Sequence, residues 1–323
     1  MKIIASTASA WVLAVSASTA LAQEPVWPSK PIRLVIPSTP GGGTDFIGRT
    51  LATKLGESGW TMVPDNRPGA AGTLGLAETV RAKADGYEIV VGQTANVSLA
   101  PWLMKLTFDP AKDLAPIALA VEAPMVLLVN EASPYKTWAE FLKAAIANRD
   151  KPMSYATSGT GSVAHVAGVL VQDASGFKMQ HVPYKGSAPA IADLMGGHVD
   201  LAGTSVASAL SLLQGGKVRA IAVTSLHRSA ALPNVPSLSE LGYPKFNQVE
   251  WYGVFAPAAI PAATADKLNA EINKVLQRAD VKSAILAQGQ EPKSESRASF
   301  ATMVKADNQR SRDVIAKAGI KLE

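Results

Sequence analysis

Three consecutive glycines separate a strand-length apolar run from an amphipathic one. Ile32–Ile36 leads into Pro37-Ser38-Thr39-Pro40-Gly41-Gly42-Gly43-Thr44-Asp45, and a helical pattern follows from Phe46 to Leu55. Glycines leave backbone N–H groups uncovered, and a helix N-terminus adds partial positive charge, so together they make an anion site. A tight turn alone rarely needs three glycines in a row. The phosphate motifs fail here: no Lys follows the glycines as in a P-loop, and Phe46 stands where a dinucleotide fingerprint needs its third Gly. Asp45 would repel a highly charged phosphate, whereas a carboxylate is accommodated with Asp45 capping amides or ordering water. Thr39, Gly42, Gly43, Thr44 and Asp45 are therefore candidate contacts. Phe46 either adds an aromatic ring to the site or faces the core.

A second loop follows the same logic. Met153–Ala156 runs into Thr157-Ser158-Gly159-Thr160-Gly161-Ser162, and a helical pattern starts near Val163. Ser158, Thr160 and Gly161 bring hydroxyls and amides to that helix start. His165 on the first turn reads equally as a ligand donor or a packing residue. In the stretch His181-Val182-Pro183-Tyr184-Lys185-Gly186, Tyr184 either lines a cleft or belongs to the core. Asn96 follows the strand pattern Glu88–Val91, and Thr204-Ser205 follow Val199–Gly203; both places suit pocket lining.

Other chemistries find less support. Gly203-Thr204-Ser205-Val206-Ala207 misses a nucleophile elbow by its second Gly, and no Asp-then-His order follows, which leaves a serine hydrolase using Ser205 or Ser158 as a minor alternative. The four His (165, 181, 198 and 227) lack metal-ligand spacing and there is no Cys, so neither metal nor cofactor is expected. Net charge is +5 with Lys and Arg scattered, which argues against nucleic acid.

Strand-length apolar runs alternate with helical patterns through most of the chain, which predicts an α/β fold with parallel sheets covered by helices. Strands are expected at Ile32–Ile36, Thr61–Val63, Glu88–Val91, Met125–Val129, Met153–Ala156, Val199–Gly203, Arg219–Thr224 and Trp251–Ala256. Helices are expected at Phe46–Leu55, Leu74–Ala82, Trp138–Ala147, Val163–Ala174, Ala188–Met195 and Ala207–Leu213, then three in a row at Thr264–Arg278, Val281–Gln288 and Arg297–Lys317. Thr44 or Asp45 is expected to cap the first helix, and Thr137 with Glu140 forms a capping box. The first 22 residues carry Lys2, an apolar run and Ala20-Leu21-Ala22, a secretory signal peptide cleaved after Ala22. No Cys is available for lipid attachment and no later run spans a membrane, so no anchor is expected. The apolar run around Pro124 and the Pro-rich run before Trp251 suit two crossings between lobes. They divide the chain into residues 23–124 plus 250–323 and residues 125–249.

Eight stretches in order along the chain resemble the tripartite tricarboxylate transporter receptor family, the Bug-type solute-binding proteins. They are Trp27–Arg33, Pro40–Asp45, Asp65–Ala70, Asp85–Tyr87, His181–Gly186, Ala222–Thr224, Leu232–Pro236 and Trp251–Pro257. The resemblance implies a two-lobed, type II Venus-flytrap periplasmic-binding-protein fold. It implies a non-enzymatic periplasmic receptor that closes on a carboxylate and delivers it to membrane permease subunits; the expected ligand is a small mono- or dicarboxylate, aliphatic or aromatic, and the expected state a monomer. The same ligand class would also serve a sensory co-receptor. The resemblance assigns the grip to Gly42, Gly43, Thr44 and Asp45, and to Ser158, Thr160, Gly161 and His165. Many relatives have Asp-Ser where this chain has Thr204-Ser205, which argues against an amino-acid ligand.

Overall fold

A computed structural model describes residues 27–322; the expected signal peptide lies outside them. The chain opens with β1 (Ile32–Ile36), α1 (Gly43–Gly56), β2 (Met62–Asn66), α2 (Thr73–Val80) and β3 (Glu88–Gln93). A wide π-helical turn at Thr94–Leu99 feeds α3 (Ala100–Leu103), α4 (Pro110–Asp113) and the 17-residue β4 (Leu114–Asn130). Next come α5 (Trp138–Ala147), β5 (Met153–Thr157), α6 (Val163–Ser175), β6 (Met179–Pro183), α7 (Ser187–Met195), β7 (Leu201–Ser205), α8 (Val206–Gln214) and β8 (Val218–Val223). The chain closes with β9 (Val249–Pro257), α9 (Ala262–Gln277), α10 (Ala279–Ala287), a two-residue β10 (Glu291–Pro292) and α11 (Arg297–Ala318).

Two sheets share β4. Leu114–Pro124 pair with β9 in the order β2-β1-β3-β9-β4, whereas Met125–Asn130 pair with β7 and β8, and β7 leads on to β5 and β6. The strand therefore changes sheets between Pro124 and Met125. Parallel pairing holds for β1 with β2 and β3, and for β5 with β6 and β7. The structure departs from the all-parallel expectation at β4 and β9, which pair antiparallel with each other and with their other neighbours. These two strands carry the chain out and back between sheets, so they must run in opposite directions. The five-residue strand expected at Met125–Val129 is the end of a β4 more than three times as long, because Pro124 reads in sequence as an interruption.

Each sheet is covered on both faces. Ile32, Leu34, Ile47, Leu51 and Leu55 join α9 and α10 side chains on one face of the first sheet, while Trp251, Phe255 and Phe300 fill the other. Phe141, Trp138 and Phe177 pack under the second sheet. Burial of each such side chain stabilises by roughly 1.5–3 kcal/mol. A further apolar cluster bridges the two parts, with Val163, Ala164 and Val166 of α6 against Leu99 and against Val314 and Ile315 of α11. The Thr137 capping box forms as the sequence predicts. α1 differs: Gly42 is its N-cap residue, and Thr44 and Asp45 lie in its first turn.

Candidate functional site

The first loop ends on a helix whose earliest donors are free. Gly41 turns at φ +92°, a left-handed conformation that glycine adopts without strain. The first helical bond is Phe46 N–H to the Gly42 carbonyl, so the N–H groups of Gly43, Thr44 and Asp45 have no partner within the helix. Asp45 fastens the loop. Its carboxylate accepts from Gly41 N–H (3.0 Å), Arg49 Nε (2.9 Å) and Asn66 Nδ2 (2.9 Å), and Asn66 also donates to the Ser38 carbonyl. Burial alone would raise its pKa, but the bonds from Arg49, Asn66 and the Gly41 amide outweigh that and hold it below the usual value. The Thr44 hydroxyl donates to Gln93 Oε1 at the end of β3 (2.7 Å). Over Gly43 lie two side chains: a Cβ there would stand 2.9 Å from the Tyr252 hydroxyl and 3.2 Å from Gln290 Nε2.

The second loop is fastened by neutral groups. Ser162 caps α6 by accepting from His165 N–H (3.2 Å), leaving the N–H groups of Val163 and Ala164 without a helical partner. Gly159 and Gly161 have φ of +139° and +74°. Loop bonds run from Tyr184 N–H to the Thr157 carbonyl and from Gly186 N–H to the Ser158 carbonyl. His165 stacks on His181 with ring centroids 3.7 Å apart. Burial, then the neighbouring His181, lowers the His165 pKa to about 4, so it is neutral at pH 7. Gly161 N–H donates to His165 Nδ1 (3.1 Å), so the ring proton is on Nε2, which remains available to donate. Burial also lowers the pKa of His181, whose Nε2 bonds the Thr157 hydroxyl at 2.7 Å. A Cβ on Gly161 would stand 2.6 Å from Leu103 Cδ1, so this loop packs directly against α3.

The remaining sequence candidates scatter around these loops. Thr39 and Gly42 are exposed, while Thr44 and Asp45 are buried. Phe46 packs on the core of the first sheet and lines the crevice between α1 and α10. Asn96 is fully buried in the π-turn; its Oδ1 accepts from Gln93 N–H and its Nδ2 has no partner. Tyr184 donates to Asp193 Oδ2 (2.6 Å), a bond that pushes its pKa up to about 12. Thr204 is buried with an unpaired hydroxyl, and Ser158 and Thr160 are half-buried. Ser205 caps α8 through Ser208, with no histidine among its partners. Gly289, after α10, sits against Val206 and Ala207 and so joins the α8 N-terminus to the segment carrying Gln290. No set of three metal-ligating side chains occurs among the described residues.

Sequence reading gave no role to Asn66, which bonds the first loop from β2, or to Tyr252 and Gln290, which lie over Gly43. Only Arg49 carried a local signal, four residues after Asp45 on one helix face.

The family model described as the tripartite tricarboxylate transporter family receptor, TctC, matches residues 47–320. A UPF0065 protein from the tcbD-tcbE intergenic region of Pseudomonas sp. (strain P51) is 38% identical over 280 residues, covering 86% of this chain and 83% of its own length. Protein BugT of Bordetella pertussis is 33% identical, with 92% of each chain covered. Among solved structures, R. palustris Rpa4515 with adipate shares 30% identity at a TM-score of 0.75, covering 92% of this chain and 100% of that one. MatC from Rhodopseudomonas palustris with bound malate shares 29% at 0.71, covering 90% and 100%. Receptors of this kind bind solutes and perform no chemistry, which removes the serine-hydrolase alternative. Its nucleophile candidate Ser205 is a helix cap. With a family match along most of its length and two glycine loops that each end on a helix with free N–H groups, the chain belongs to the tripartite tricarboxylate transporter receptor family, the periplasmic Bug-type solute-binding proteins.

Proposed function

We propose that this protein captures a small mono- or dicarboxylate between its two lobes and hands it to the membrane permease subunits of a tripartite transporter. The observation that carries the reading is the pair of unpaired amide sets, at Gly43–Asp45 and Val163–Ala164, each at the carboxyl end of a parallel strand. A dicarboxylate reaching both sets binds the closed arrangement better than the open one, which is what drives closure. Similarity to proteins solved with adipate and malate supports the ligand class. Contacts would come from Gly42, Gly43, Thr44, Ser158, Thr160, Gly161 and His165 Nε2–H, with Asp45 holding the first loop in shape.

In this reading the lobes are residues 23–124 plus 250–323 and residues 125–249, which fits the change of sheets within β4. The protein acts as a periplasmic monomer released by cleavage after Ala22. Among the described residues no helix is long and apolar enough to cross a membrane.

A thermal-shift screen against acetate, citrate, glutamate, adipate, nicotinate, phthalate and terephthalate tests the reading. A ligand at a hundred times its Kd adds about 2.7 kcal/mol of stability. A melting point that no carboxylate moves would sink the proposal.

A further inference from the structure

The two glycine loops meet an anion on unequal terms. In the α1 loop Arg49 is a permanent cation, bonded to Asp45. The α6 loop has two histidines instead, and their hydrogen bonds give the two rings different capacities. His165 Nδ1 accepts from Gly161 N–H (3.1 Å), so a second proton on that ring would break a bond that shapes the loop. His181 is not restrained in this way. Its Nε2 lies 2.7 Å from the Thr157 hydroxyl, and its Nδ1 has no partner among the described residues. Thr157 can direct its own hydrogen to the Gly159 carbonyl (3.2 Å) while its oxygen accepts from Nε2–H. His181 therefore accepts a second proton on Nδ1 with every bond around it kept. Its ring stacks on His165 with centroids 3.7 Å apart, and His165 stands in the first turn of α6. A charge on His181 thus lies one ring away from the start of that helix.

No fixed charge competes for this place. Tyr155, opposite His181 on β5, donates its hydroxyl to the Ala164 carbonyl. Asp173 of α6 pairs with Lys317 of α11, and on α11 Arg310 pairs with Asp307 and Arg312 with Asp313. Beyond β6, Tyr184 bonds Asp193, while Lys105, Lys178 and Lys185 are exposed. In the empty site burial lowers the proton affinity of His181, so the ring is neutral at pH 7. An anion on the Val163 and Ala164 N–H groups opposes that burial, because a nearby negative charge favours the imidazolium.

We propose that His181 is a functional residue of the α6 loop: it takes up a proton from solvent when an anion occupies that helix start, supplying the cation which the empty loop lacks. The inference rests on the carboxylate-capture reading and adds proton uptake to it. A second carboxylate then meets a charge formed only in the complex, so dianions gain over monoanions as pH falls.

Calorimetric titration with adipate, glutamate, phthalate and terephthalate at pH 7.5 and pH 6, each in two buffers of different ionisation heat, tests this. For those that bind, the wild type is expected to take up protons and to bind about threefold or more tighter at pH 6, roughly tenfold per pH unit being the limit for one proton. Protonation of the acid itself works in the opposite direction and cannot produce that result. His181→Gln should abolish the uptake and flatten or reverse the pH dependence, its melting point at pH 7.5 reporting that it is folded. Imidazole 15N spectra of the wild type answer the same question without a variant. At pH 6, saturation with the acid should move the His181 nitrogens to imidazolium values and leave His165 Nδ1 unprotonated. Binding without proton uptake, or a proton that arrives on His165 instead, would overturn the inference and leave carboxylate capture standing. Failure of all four dicarboxylates to bind would also overturn it, and an empty carboxylate screen would overturn capture as well.

Discussion

The two glycine loops share one plan and differ in what holds them. Each follows a buried strand, turns through glycines and ends on a helix with free N–H groups. The α1 loop is tied by charge: Asp45, Arg49 and Asn66 form one network across α1 and β2. The α6 loop is tied by neutral groups: a serine cap, two stacked imidazoles and the Thr157 hydroxyl. On the proposed reading the donors of both loops are backbone N–H groups, and the side chains around them act as scaffolding whose chemistry sets how each loop responds to pH and salt.

The contrast is tested most severely at the glycines. Nothing lies within 4 Å of a Cβ on Gly42, whose φ of −86° suits any residue. Gly42→Val is therefore expected to cover the α1 amides and weaken carboxylate binding by a hundredfold or more (~3 kcal/mol for two lost charge-assisted bonds) while the melting point holds. Gly161→Val meets Leu103 in a left-handed backbone and is expected to cost about 2–4 kcal/mol of stability as well. Equal melting points for the two variants would break the comparison. Gly43→Val is a poorer probe than Gly42→Val, because its Cβ runs into Tyr252 and Gln290.

A second contrast lies in pH. His165 has a pKa of about 4 when folded, below its ordinary 6.5, so the unfolded chain binds the proton first. Its contribution is complete above about pH 6.5 and is lost as pH falls toward 4, amounting to about 3 kcal/mol. His181 shifts in the same direction. Denaturant melts at pH 4.5 and 7 check this, and His165→Gln/His181→Gln should flatten the difference. Asp45 is depressed too, but from a carboxylate value, so its contribution survives until pH falls below about 4.

Smaller effects follow. Asp45→Asn is expected to destabilise by about 1–3 kcal/mol through loss of the charged bonds to Arg49 and to weaken ligand binding by loosening the loop, as calorimetry would read. The Lys317–Asp173 pair links α11 to α6 at the surface, with side chains 67% and 40% exposed. Lys317→Ala should change stability by less than about 1 kcal/mol and leave both loops unaffected.

Much of this was legible in sequence because its signals are local. Gly41–Gly43 and Gly159–Gly161 marked the helix starts, and Thr137 with Glu140 announced α5. β6 escaped because Met-Gln-His-Val-Pro shows little apolar alternation, and β4 reads in sequence as broken at Pro124, which a long crossing strand tolerates. Asp45 looked like a cap because its distant partner, Asn66, lies 21 residues away. Tyr252 and Gln290 stand more than 200 residues from the loop they adjoin; β9's pairing with β3 brings Tyr252 there, and the segment between α10 and β10 brings Gln290.

The central claim is that one ligand engages both amide sets. Amide NMR of the 15N-labelled protein during titration with a dicarboxylate found by the screen tests it most directly. The account predicts that the N–H signals of Gly43, Thr44 and Asp45 and those of Val163 and Ala164 move together with a single Kd. Movement confined to one set, or two sets with different midpoints, would contradict it.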